Sequence, residues 1–235
     1  MGELPRTRMT RFRSWARVVK AASMKPKKLP SRRSNSASIL GGAMGPSGMI
    51  VAVQEVDEGQ LIAAFSEQAS ALVEGGAQWI VLETFSELAE LVIAIKAVKQ
   101  ATACPVVASM SFDAGPQRTK TVMGAAASEV GAALEDAGAD VIGSNCGAGI
   151  AHALPAVVAL KANCSLPLWV RPSAGLPDLE EGVAVYRNKP EEIDEFIGPL
   201  LDAGANVIGG CCGMGPAHIK RMAALSAAWK KRQSG

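Results

Sequence analysis

The sequence predicts a parallel α/β fold, read as a (β/α) barrel of six βα units from Ser38 onward, and three observations carry that prediction. Short apolar runs alternate with longer amphipathic stretches along the whole of this region. The apolar runs are four to eight residues long and do not alternate with polar residues, as expected of strands covered on both faces. Three segments also repeat one wording: EGGAQWIVLE (74–83), DAGADVIGSNC (136–146) and DAGANVIGGCC (202–212). Each reads as a helix end, a glycine just past it and a buried strand. Gly76, Gly138 and Gly204 lie 62 and 66 residues apart, about two βα units each. An echo at every second unit suits a barrel, and an open doubly wound sheet is the alternative.

In chain order the strands are SILGGAM (38–44), WIVLE (79–83), PVVASMSF (105–112), DVIGSNC (140–146), LPLWVRP (166–172) and NVIGGCC (206–212). Helices are expected over 57–74, 86–101, 120–137, 150–163, 190–203 and 215–231. Strand and helix follow each other through short links, which makes right-handed βαβ crossovers and a parallel sheet.

Composition narrows the class. The chain has 235 residues, 49% of them hydrophobic and only 4% aromatic, enough to bury one α/β core rich in Ala, Gly and Val. No run of about 18 apolar residues is present, so no membrane span is expected. Five irregularly spaced cysteines and no secretory leader argue against a disulfide scaffold and make the cytoplasm the expected location. The net charge of +2 is divided: residues 1–37 carry eleven basic side chains and one acidic, the remainder thirteen and twenty-one. An acidic body is a poor nucleic-acid surface. Residues 1–37 are expected to form a basic arm outside the 38–235 barrel domain, with Phe12, Trp15, Val18 and Val19 on one side of a short helix. A solvated tail, a contact with an anionic partner and a transit-peptide-like role are its three readings.

Aligning the echoes on their alanines puts Glu83, Cys146, Cys211 and Cys212 at the carboxyl ends of strands. In a parallel barrel those ends meet on one face, where chemistry is done. Three converging thiols match the ligand count of a catalytic zinc site, with a fourth position left open. Glycines around the vicinal pair let the backbone turn both sulfurs toward one ion. Two other readings stand beside this one: small buried hydrophobes, and a redox dithiol, for which the usual two-residue spacer is missing. Cys104 and Cys164 each precede a strand at the opposite end and read as ordinary packing residues.

GSNC (143–146) and GGCCG (209–213) together resemble the paired motifs of the homocysteine S-methyltransferase family, which includes the homocysteine-binding module of cobalamin-dependent methionine synthase. GPSG (45–48), LETFSEL (82–88), SMSFDAGPQRT (109–119), PSAGLPD (172–178) and GMGPAHI (213–219) follow in family order, so the resemblance covers about residues 38–230. It implies a TIM-type (β/α)8 barrel, here an incomplete six-unit one, because GPSG is reached before two expected βα units have passed. It implies Cys146, Cys211 and Cys212 as Zn²⁺ ligands, Glu83 as the group that binds the amino-acid portion of homocysteine, and Asn145 as a group that orients the site. Ser173 stands where the methionine-synthase branch has an asparagine beside the metal. His152 and His218 are expected on helices near barrel loops as ordinary, partly exposed side chains.

The implied activity is methyl transfer to the thiolate of homocysteine, forming methionine. The alternatives are a zinc-binding remnant without turnover, and a component that exchanges methyl groups with a separate corrinoid protein carrying methylcobalamin. The donor is open, and a homo-oligomer is one way to close the barrel's gap.

Overall fold

Backbone pairing follows the apolar runs. The computed structural model describes residues 39–234; the basic arm expected over 1–37 lies outside them. Six strands form one parallel sheet: β1 (Gly41–Met44), β2 (Trp79–Phe85), β3 (Val106–Met110), β4 (Val141–Cys146), β5 (Leu168–Pro172) and β8 (Ala205–Ile208), in that spatial order. The helices α1 (Glu58–Glu74), α2 (Leu88–Ala101), α3 (Ala127–Asp136), α4 (Leu154–Ala162), α5 (Asp194–Asp202) and α6 (Pro216–Gln233) alternate with them. Neighbours in sequence are neighbours in the sheet, as in a barrel, and no doubly wound crossing occurs. The two outer strands, β1 and β8, do not pair with each other among the described residues, so the barrel is open along one seam.

The period of two in each strand divides the side chains between faces. Ile80 and Leu82, Val106, Ala108 and Met110, Ile142, Leu168 and Val170 point out into the main core beneath the helices. That core is where most apolar area leaves water, and it dominates the stability of the domain. Val81, Val107 and Trp169, with Trp79 and Val141 beside them, form a second, smaller cluster on the inner face. Strands β2 and β5 are separated in the sheet by two others. Even so, the Trp79 and Trp169 rings meet edge to face with centroids 5.2 Å apart. Only a strongly curved sheet allows that, so the curvature of a barrel is present although the described residues do not close it.

The three echoes fold alike. Gly76, Gly138 and Gly204 follow α1, α3 and α5 with φ of +100°, +95° and +96°, the left-handed conformation that ends a helix without a Cβ penalty. At the start of α1, the Asp57 carboxylate accepts from the Gly59 N–H and the Gln60 side chain returns to the Asp57 N–H, a capping box.

Four expectations need correcting. The helix placed over 120–137 begins only at Ala127, because Lys120 bridges to Ala114 and Ala126 and those backbone groups pair across a loop. The expected helices over 150–163 and 190–203 each open as a 3₁₀ turn, Ile150–His152 and Pro190–Ile193, before α4 and α5. The strand placed over 206–212 stops at Ile208, since the Cys211 carbonyl closes a turn onto the Met214 N–H. An unexpected hairpin, β6 (Asp178–Glu180) and β7 (Val183–Val185), fills the loop after β5. Its two linking residues, Glu181 and Gly182, both have positive φ, as a tight two-residue hairpin requires.

Candidate metal and substrate site

The carboxyl ends of β2, β4 and β5 and the turn after β8 converge on one point. Cys146 is the last residue of β4, and Cys211 and Cys212 lie in the turn after β8. Their three sulfurs lie within 4.8 Å of one another. The Cys211 and Cys212 sulfurs are 3.9 Å apart. Ligands about 2.3 Å from a four-coordinate zinc stand roughly 3.8 Å from each other, so this donor set fits a soft cation with little rearrangement. All five cysteines are free thiols. Cys104 and Cys164 precede β3 and β5 and pack, half-buried, against the main core, far from this end of the sheet.

Backbone hydrogen bonds tie the convergent loops together. The Cys211 N–H donates to the Pro172 carbonyl, the Ser173 N–H to the Cys146 carbonyl, and the Ala174 N–H to the Cys212 carbonyl. The segment that follows β5 therefore clamps the two cysteine-bearing turns against each other. Ser173 is fully buried, and its hydroxyl lies 2.7 Å from the Gly147 carbonyl and 3.1 Å from that of Gly175. Its side chain is engaged with the backbone that carries Cys146.

Asn145 is also buried. Its Oδ1 accepts from the Thr84 N–H at 2.9 Å and the Ser109 hydroxyl at 2.7 Å. Its Nδ2 donates to Thr84 Oγ1 at 2.7 Å and lies 4.0 Å from the Cys211 sulfur. One amide thus links β2, β3 and β4 to the turn that carries Cys211. Both residues it fixes in place have backbones in the left-handed region, Thr84 at φ 65° and its own neighbour Cys146 at φ 63°. Non-glycine residues held there store strain of about 1–3 kcal/mol each, and such residues cluster at functional sites.

Glu83 projects from β2 beside the cysteines, and Arg171 reaches it from β5. The Arg171 Nη1 donates to Glu83 Oε2 at 2.9 Å, its Nε donates to the Gly210 carbonyl at 3.1 Å, and its guanidinium lies 5.6 Å from the centre of the Trp169 ring. Burial pushes the Glu83 carboxyl above its usual range; Arg171 opposes that shift and Cys211 adds to it. Among the sulfurs, the hydrogen bond with Cys146 draws the Cys211 thiol down to about 5, against burial and with help from the Cys212 N–H, the Cys212 side chain and Asn145. The same bond, followed by burial, pushes Cys146 up. The cluster therefore concentrates its thiolate character on Cys211.

The turn after Cys212 is shaped by Tyr186, which follows β7. Gly213 has φ +77°, and a Cβ there would fall 2.3 Å from the Tyr186 Cγ, so the ring lies directly on the glycine. Neither histidine belongs to the cysteine cluster. His152 is exposed. His218, expected to be partly exposed, is buried: its Nδ1 accepts from the Gly215 N–H, and its Nε2 lies 3.3 Å from the Asn188 carbonyl. It caps α6.

Comparison with known families settles the lineage. The model of the family described as homocysteine S-methyltransferase matches residues 7–226. The chain belongs to the homocysteine S-methyltransferase family. It is 33% identical over 199 residues to the methionine synthase of Mycobacterium tuberculosis, and 32% identical over 195 residues to that of Mycobacterium leprae. These alignments take in 81% and 79% of this chain but 16% of each relative, so the chain spans about one sixth of their length. The fold is similar to that of the apo homocysteine methyltransferase MmuM from Escherichia coli, with TM-score 0.64 and 21% identity, covering 80% of this chain and 63% of MmuM. Its metallated form gives TM-score 0.62 at 22% identity, covering 79% and 60%.

Four participating residues, Arg171, Thr84, Ser109 and Tyr186, were not singled out by the sequence. Arg171 carried a readable signal: it is a lone charge inside the apolar run LPLWVRP. The other three lie in or directly after apolar strands, where a single hydroxyl carries no signal and only the three-dimensional arrangement marks them.

Proposed function

We propose that this chain transfers a methyl group to the sulfur of homocysteine, using a zinc ion held by Cys146, Cys211 and Cys212. The observation that carries the reading is the convergence of these three sulfurs within 4.8 Å, beside the Glu83 carboxylate, on the catalytic face of a parallel barrel. Zinc bound by three thiolates would supply a Lewis acid that keeps a fourth, substrate sulfur deprotonated near neutral pH. The chain's own residues do the rest. Asn145, Ser173 and the Cys211–Pro172 backbone bond hold the donor sulfurs in place before any ligand arrives. Glu83 offers an anion for the substrate's ammonium group. In the transfer, a sulfur lone pair forms the new S–CH₃ bond as the methyl leaves its donor, and the thiol proton passes to solvent.

Metal content before and after the Cys211→Ser substitution tests the metal assignment: about one zinc per wild-type chain is expected, with a large loss in the variant. Unchanged stoichiometry would remove the reading. Transfer of a labelled methyl group to homocysteine from S-methylmethionine, S-adenosylmethionine or protein-bound methylcobalamin tests the activity. The open seam between β1 and β8 supports a second reading, a zinc-binding chain without turnover. Methyl transfer that disappears with Cys146 would eliminate it.

A further inference from the structure

The ion pair beside the cysteines makes a recognition element that metal binding by itself does not require. Glu83 and Arg171 come from β2 and β5, strands that are not neighbours, and meet across the inner face. Their side chains keep 23% and 29% of their accessible surface, so both remain open to a ligand. A guanidinium has five N–H donors. Arg171 uses one on Glu83 and one on the Gly210 carbonyl, and its Nη2 has no partner among the described residues. Glu83 likewise uses only Oε2 in the pair and leaves Oε1 without a partner there. The guanidinium cannot swing away freely, because it is fixed between the Trp169 ring and the carbonyl next to Cys211.

A lone carboxylate at this place would favour any aminothiol, and a lone guanidinium any mercapto acid. A neutral pair with one unused acceptor and unused donors favours a ligand that carries both charges, since neither member is left facing a ligand without its counter-charge. We infer that Arg171 is a specificity-determining residue: it takes the carboxylate of an α-amino-acid thiol while Glu83 takes its ammonium group. Arg171 thereby restricts the acceptor to zwitterionic thiols. The inference rests on the proposed function, since it concerns the acceptor of that same site.

The experiment compares two thiols by calorimetry on the zinc-loaded full chain: homocysteine, and 3-aminopropanethiol, which is homocysteine without its carboxylate. Wild type binds homocysteine about 10- to 100-fold more tightly, the range of a hydrogen-bonded charge contact. Arg171→Gln reduces that ratio to about threefold or less, because homocysteine binds more weakly while 3-aminopropanethiol, now facing the unpaired Glu83 carboxylate, binds as well as or better than to wild type, with zinc content unchanged. Arg171→Lys, which keeps the charge, retains part of the ratio and serves as the comparison if the glutamine variant folds poorly. A wild type that binds both thiols equally overturns this assignment and leaves the proposed function standing. So does a glutamine variant that weakens both thiols alike, which would give Arg171 only a supporting role. A zinc-loaded wild type that binds neither thiol overturns the proposed function, and the Arg171 assignment with it.

Discussion

Replacing Asn145 with alanine removes one side chain and disconnects three strands from the Cys211–Cys212 turn. Two hydrogen bonds to Thr84, at 2.9 and 2.7 Å, are lost where water has some access, and each contributes about 0.5–1.5 kcal/mol. The third, from Ser109, is different. That hydroxyl is fully buried and would be left without its acceptor, a penalty of about 1–3 kcal/mol. Together these give about 2–6 kcal/mol, which for a chain of this size corresponds to a fall in Tm of roughly 10 °C. The loss also frees Thr84 and Cys146 from their left-handed backbones, so zinc affinity should fall about 10- to 100-fold, as when a supporting group behind a ligand is deleted. Urea unfolding in the presence of chelator isolates the first effect, and competition with a metallochromic indicator the second. A stability loss under about 1 kcal/mol together with unchanged zinc affinity would refute the view that this amide organises the site.

Two further outcomes follow from the same geometry. Because the Cys211 pKa is lowered, its thiolate persists as pH falls until about 5, whereas an unperturbed thiol is largely protonated below 9.0. In chelator-stripped protein, iodoacetamide should therefore alkylate Cys211 readily at pH 6.5 and slow as pH drops through about 5, with Cys146→Ala moving that midpoint upward toward 9.0; peptide mass mapping reads the site. Gly213→Ala forces a Cβ onto the Tyr186 ring at a φ of +77° and should displace the cysteine turn, lowering zinc content. Gly48→Ala, at φ +79° with open space around it, should cost only about 1 kcal/mol of backbone strain and leave zinc intact.

The positions of Cys146, Cys211 and Cys212 were readable because strand, helix end and glycine recur in one wording, and a repeated unit places repeated residues at equivalent ends of a parallel sheet. The glycine caps after α1, α3 and α5 were readable for the same local reason. The hairpin β6–β7 was missed although its turn, Glu181–Gly182, is local, because its strands are three residues long and carry little periodicity. The late start of α3 was hidden because Lys120 pairs with Ala114 and Ala126 through backbone groups that no side-chain pattern reports.

By itself the sequence determined the order of the six βα units and the three sulfurs at the sheet's carboxyl end, both consequences of apolar runs alternating with amphipathic ones and of one motif echoed at every second unit. Tertiary structure alone decided how far the sheet curves, and so whether β2 and β5 could join Trp79 to Trp169 and Glu83 to Arg171 across it. It also decided that Asn145 would reach Thr84, Ser109 and Cys211 at once. Those contacts link residues 36 to 90 positions apart. Their existence depends on the summed twist of several strands, a quantity that no single segment encodes.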